Sequence, residues 1–177
     1  MIIPMPKQQE LIDSKKKITI YRAGNRSGKT YGLLLSCLKD AKENKTRSWY
    51  VAFDLYALEN KVIPHFEEIM EDKFEKKDIP GGVRITLENE SIIDFKSSEA
   101  SPQTFSGIMI NNVYIDEIVY KSVIEECMMR IVDLNGRIKI AWTPYKKNTL
   151  LLELEERPDC HLIRASTFEN PFLNTTS

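Results

Sequence analysis

Along Lys17-Ile18-Thr19-Ile20-Tyr21-Arg22, apolar and polar positions alternate and β-branched residues are common, the pattern of a strand. After the loop that follows, the period changes. Tyr31, Leu34, Leu35 and Leu38 recur at helical spacing, and Leu33, Cys37 and Ala41 widen the stripe into a buried face. The pattern then predicts a second strand over Arg47–Phe53. Leu55 to Glu75 reads as mostly helical with an interruption near Pro64, and Gly81-Gly82 punctuates the chain. Val83–Leu87 and Ser91–Phe95 flank Glu88-Asn89-Glu90 as a hairpin. Asn112–Asp116 is a strand, apolar up to its acidic end. A helix is expected over Ser122–Leu134, stopped by Asn135-Gly136. Arg137–Trp142 is the next strand, Thr149–Glu156 a short helix and His161–Ala165 a last strand. Strands alternating with helices predict an α/β fold with a mainly parallel sheet flanked by helices. No internal repeat or low-complexity segment interrupts this order.

Composition narrows the partners. With 177 residues, 42% hydrophobic and 29% charged, the chain is long enough for one domain with a substantial core. The net charge of −1 leaves no global basic field, so any nucleic-acid surface has to be local. Cys37, Cys127 and Cys160 lie far apart without a CxxC pair, which suits neither a disulfide framework nor a zinc site and fits a reducing cytosol. No signal-peptide pattern and no membrane-length apolar run is present, so a cytoplasmic protein is expected.

The loop between the first strand and helix carries the chemistry. Its sequence is Ala23-Gly24-Asn25-Arg26-Ser27-Gly28-Lys29-Thr30, followed by Tyr31. A tight strand-to-helix loop turns backbone N–H groups inward, with the positive end of the helix dipole behind them, and so cradles polyphosphate. Gly28 allows close approach, Lys29 supplies a point charge for the β and γ phosphates, and Thr30 offers a hydroxyl to Mg²⁺. Ala23 stands where such phosphate loops more often carry glycine. The plain alternative, a glycine-rich turn capped by lysine, does not account for the strand and helix on either side. Magnesium needs an acidic partner at a neighbouring strand end, and Val113-Tyr114-Ile115-Asp116-Glu117 supplies it. Asp116 is expected to hold the metal and Glu117 to polarise the attacking water. Alone, Asp116 could equally be a helix N-cap. Thr143, in Trp142-Thr143-Pro144, ends an apolar strand. It either senses the γ-phosphate at the carboxyl edge of the sheet or closes an ordinary turn.

Together these residues resemble the ATPase domain of the large terminase subunit of tailed bacteriophages, a DNA-packaging motor. The resemblance is carried by PKQQ, AGNRSGKT, VRITLENESIIDFKSS, VYIDE, AWTP and ASTFENPFL, in that order along the chain. It implies a P-loop NTPase of the RecA-like (ASCE) type with an antiparallel hairpin added to the parallel sheet. It implies that Gln8, or alternatively Gln9, recognises adenine. Arg26 would stabilise charge on the γ-phosphate from within the same subunit; its plain reading is a solvent-facing loop residue. It further implies ATP and Mg²⁺ as cofactors, double-stranded DNA as substrate, a ring of identical subunits, and the portal protein and small terminase subunit as partners in the host cytoplasm.

The pattern departs from the family in one place. Many relatives carry an arginine before the glycine that precedes the acidic strand, and here the run is Gln103-Thr104-Phe105-Ser106-Gly107. An arginine reaching into the neighbouring subunit is therefore left to weak candidates, Arg84, Arg130 and Arg137. The chain is expected to form a single ATPase domain over 1–177, without the family's C-terminal nuclease domain. The lysine runs Lys15-Lys16-Lys17 and Lys146-Lys147 could touch DNA phosphates, but more often such runs are solvated turns; His65 and His161 read as structural, and Trp49 and Trp142 as core rather than base-stacking platforms. The functional reading is ATP hydrolysis driving DNA translocation. Its rivals are a nucleotide-gated ring-assembly module with weak hydrolysis and another RecA-like DNA-dependent ATPase. A small-molecule kinase fits less well, since a glutamate directly after Asp116 suits water activation.

Overall fold

The computed structural model describes residues 3–145 and 147–166. Eight strands form one sheet: β1 (Ile18–Ala23), β2 (Arg47–Ala52), β3 (Phe74–Ile79), β4 (Gly82–Leu87), β5 (Ile92–Ser97), β6 (Asn112–Asp116), β7 (Arg137–Trp142) and β8 (Cys160–Ala165). Their order is β3-β4-β5-β2-β6-β7-β1-β8. The pairings from β5 through β8 are parallel, and β3-β4 and β4-β5 are antiparallel. This is the mainly parallel sheet with an added hairpin that the pattern predicts.

The central strands β1, β2, β6 and β7 are buried on both faces, as in a sheet covered by helices on each side. Successive side chains point to opposite faces. Trp49, Val51, Val113, Ile115, Ile138, Ile140 and Trp142 meet α5 (Lys121–Arg130) and α6 (Thr149–Glu155). Tyr50, Ala52, Tyr114 and Ala141 face the other layer, built from α1 (Pro6–Asp13) and α2 (Lys29–Glu43) with the helical segments after β2. The same alternation sends Asp116 to the α2 side. Both tryptophans are core residues.

The region 55–75 is mostly helical with its break near Pro64, as expected, but it divides into short pieces and its end already belongs to β3. Asp54 accepts a hydrogen bond from Ala57 N at 2.6 Å and starts the short α3 (Leu55–Ala57). A π-helical turn over Leu58–Val62 follows, and then α4 (Ile63–Ile69). Pro64 lies just beyond that turn, and because it lacks an N–H it cannot continue the hydrogen-bond ladder from the preceding turn, so the irregularity falls just before it. Phe74–Ile79 is an edge strand. Its central residues are exposed and charged, which suits an edge and hides the strand from a hydrophobic pattern. The helix expected to reach Leu134 ends at Arg130, and the one expected to reach Glu156 ends at Glu155.

The hairpin turn also finishes α2. Asn89 donates to Ala41 O at 2.8 Å, and Ser91 Oγ donates to the same carbonyl at 2.7 Å, satisfying an acceptor that helix geometry leaves open. Arg84 clasps Asp94 on the facing strand through two hydrogen bonds, 2.6 and 2.9 Å.

Lys139 fastens α1 to this layer. It is buried on β7 and donates to Leu11 O at 3.0 Å, Ile12 O at 3.2 Å and Ser36 Oγ at 2.7 Å, with Asp40 at 3.7 Å. Lys139→Met leaves those acceptors buried without a donor. Denaturant unfolding at neutral pH should show a loss of about 2–4 kcal/mol. Burial pushes the Lys139 pKa down to about 8 from the ordinary 10.5. The folded-state value is depressed, so, separately from the donor contacts that count at neutral pH, a proton-linked increment to stability is complete above 10.5 and is lost as pH falls through 8. The variant should flatten that limb of the stability profile.

Candidate nucleotide site

The loop leaves β1 at its carboxyl end and enters α2 at Lys29. Gly28 caps the helix with φ +75°, and a Cβ there would come within 2.5 Å of Gln8 Nε2 and 2.6 Å of Met5 Cε. The conformation is what calls for glycine, since the two atoms in the way are the far ends of flexible side chains. Gln8 is buried on α1. It donates through Nε2 to Gly28 O at 2.8 Å and accepts Met5 N through Oε1 at 2.8 Å. Gln9 is turned outward and donates to Asp13 at 2.7 Å. Of the two candidate glutamines, Gln8 stands against the loop. Met5, Pro6, Lys7, Tyr21, Ser27, Ala165 and Ser166 line a cavity of about 190 Å³ beside it.

Lys29 curls back over its own loop. Its Nζ donates to Gly24 O at 2.7 Å and Ala23 O at 3.3 Å and lies 3.8 Å from Glu117 Oε1. Burial lowers its pKa, opposed by Glu117 and then Asp116. Asp116 is 4% exposed. Burial pushes its carboxyl pKa up, against the Lys61 charge and then the Thr30 hydroxyl. Its Oδ2 accepts Tyr50 OH at 3.3 Å, while Oδ1 is buried with no hydrogen-bond partner among the described residues. An orphaned carboxylate oxygen beside a threonine hydroxyl is a donor set suited to Mg²⁺, which prefers one or two protein oxygens together with phosphate and water.

Glu117 does not continue the strand alternation. Its φ is +76°, and its N–H donates to Ala141 O at 2.7 Å. That left-handed turn swings the carboxylate along the sheet edge. There it accepts Thr143 Oγ1 at 2.7 Å and Thr143 N at 3.2 Å. Asn25 Oδ1 lies 3.5 Å from the same Thr143 hydroxyl. Lys29, Thr30, Asp116, Glu117 and Thr143 thus meet at the carboxyl ends of β1, β6 and β7, where open α/β sheets bind ligands.

Most of the other candidates pack or pair outside this cluster. Arg26 is an exposed loop residue with φ +59°. Ser27 is buried, and its carbonyl accepts Tyr21 OH at 3.3 Å. Tyr31 turns to α4, donating to Glu68 Oε2 at 2.5 Å with its ring 4.8 Å from His65. Arg84, Arg130 and Arg137 pair with Asp94, Glu126 and Asp40 of this chain. His161 bridges Glu10 and Ser14 at 3.0 Å each. In ASTFENPFL, everything after Ser166 lies outside the described residues, as does Lys146. A larger cavity, about 640 Å³, opens between the 98–106 loop and α5, away from the converging carboxylates. Charge convergence, not volume, marks the candidate nucleotide site. Tyr50 and Lys61 belong to no motif. Only the register, with Ala52 opposite Asp116, reveals that their segment adjoins the site.

The family model for the terminase large subunit, T4likevirus-type, N-terminal, matches residues 20–152. Among curated proteins, no sequence matches. The large terminase of a thermophilic bacteriophage superimposes with a TM-score of 0.78 at 18% identity, covering 98% of this chain and 48% of that one. The same phage protein in complex with ADP gives 0.76 at 19% identity, covering 97% and 47%. The large terminase ATPase domain of Thermus phage P74-26 gives 0.71 at 16% identity, covering 93% and 81%. The N-terminal domain of the bacteriophage phi29 DNA-packaging ATPase gives 0.64 at 11% identity, covering 89% and 94%. The chain therefore spans about half the length of the first of these large terminases. Among the described residues, no helix is long and apolar enough to cross a membrane.

Proposed function

The chain belongs to the terminase large subunit family, and on that premise we propose that it hydrolyses ATP to drive double-stranded viral DNA into a procapsid. The observation that carries this reading is the meeting of Lys29, Thr30, Asp116, Glu117 and Thr143 at one edge of the sheet. The loop from Ala23 to Thr30 cradles the triphosphate, with Lys29 on the β and γ phosphates. Gln8 and the small cavity beside it receive adenine. Thr30 and Asp116 would hold Mg²⁺, which would supply neutralisation of phosphate charge. Glu117 takes the proton of the attacking water, and Arg26 stabilises charge developing on the γ-phosphoryl oxygens. Thr143 holds both oxygens of Glu117 and so reports its position to whatever grips DNA.

The proposed partners are DNA, further copies of the chain in a ring, and by family resemblance the portal protein and small terminase subunit, all in the host cytoplasm. ATP turnover should be measured against protein concentration, with and without double-stranded DNA. A motor whose sites are completed by neighbours gains turnover per subunit with concentration and responds to DNA. Turnover that is weak and indifferent to both supports the ring-assembly alternative.

A further inference from the structure

The pocket has a second lysine beside it, on a different element. β2 ends at Ala52, opposite Asp116 on β6. The chain then passes through α3 into the π-helical turn Leu58–Val62. Such turns are rare and gather at functional sites. Leu58 and Val62 bury into the α2-facing core and fix this turn, while Lys61 between them stays exposed.

The direction of Lys61 follows from its neighbours. α2 and α4 both descend from the carboxyl edge of the sheet. α2 follows β1, and the α3–α4 segment follows β2 and leads to β3, which runs parallel to β5 and β2. The two helices touch where Tyr31 meets His65 and Glu68. Lys61 precedes His65 by one turn, about 6 Å nearer the carboxyl edge. That is the level of the phosphate loop, which precedes Tyr31. The charges agree with this placement. Lys61 is the largest influence opposing burial at Asp116, and it also acts on buried Lys29. Asp116 and Glu117 already offset part of this positive charge, and a triphosphate would bring further anionic oxygens between the two ammonium groups. Among the described residues Lys61 forms no salt bridge that would engage it.

Resting on the ATPase reading above, we propose that Lys61 is a phosphate-binding residue whose ammonium contacts the terminal phosphate of the bound triphosphate. It would make the pocket prefer triphosphate over diphosphate, from the β2–α4 side and within the same subunit. The family's in-loop arginine and metal-holding pair do not require this residue.

The test compares Lys61→Ala, Lys61→Arg and wild type for binding of ADP and of a non-hydrolysable ATP analogue, together with ATP turnover. Lys61 is exposed, so the alanine variant should unfold at the wild-type temperature. Its affinity for the analogue should fall by about 10–100-fold, as for a lost charged hydrogen bond, with ADP affinity within about threefold. Arginine should restore most of the difference. Equal affinities for both ligands and unchanged turnover in Lys61→Ala would overturn the assignment. So would an equal loss for ADP and analogue, which marks a structural role. Wild-type protein that binds neither nucleotide would instead sink the ATPase reading itself, and this inference with it.

Discussion

Glutamine in place of Glu117 should lower ATP turnover by about 10²–10⁴-fold, the usual contribution of a positioned general base. Nucleotide affinity should stay within a few-fold. The substitution is nearly isosteric, and the site can accommodate it. The carboxamide oxygen can accept Thr143 N while its NH₂ donates to the Thr143 hydroxyl, so both contacts now made by the carboxylate survive. What is lost is the basic oxygen and the negative charge 3.8 Å from Lys29. The backbone at Glu117 already occupies the left-handed region, an uncommon state for a non-glycine residue and one often kept where function needs it. Single-turnover hydrolysis alongside analogue binding separates the two effects. A Glu117→Gln variant that hydrolyses within about tenfold of wild type would remove this residue from the water-activating role.

Alanine at Arg26 is expected to cost about 10³–10⁵ in turnover, the range for a charge-stabilising arginine in phosphoryl transfer. The comparison is clean because alanine and arginine carry the same Cβ penalty at φ +59°. The loop conformation is therefore not relaxed by the change. Arg26 is also exposed, so stability should hold within about 0.5 kcal/mol. Steady-state turnover with thermal unfolding as control checks both statements. Lysine at this position should recover only part of the rate, since a point charge does not reproduce the guanidinium fork. Turnover within about tenfold of wild type in Arg26→Ala would move charge stabilisation to another group, and Lys61 would be the next to examine.

The chain's periodicity determined the sheet and its principal helices. Alternation in β1 and β7, the apolar run of β6 and the helical stripe from Tyr31 to Ala41 all record burial that local spacing reports directly. The candidate phosphate loop was legible for the same reason: its glycines, lysine and threonine lie within one stretch of backbone. Where burial is slight, the pattern failed. β3 is a charged edge strand, so it shows no apolar face, and the π turn changes helix geometry without changing composition. Strand order was not local information either. β2 lies between β5 and β6, and only that pairing carries the Leu58–Val62 turn to the neighbourhood of Asp116. The tertiary structure likewise separated Gln8 from Gln9, burying one against Gly28 and leaving the other in solvent.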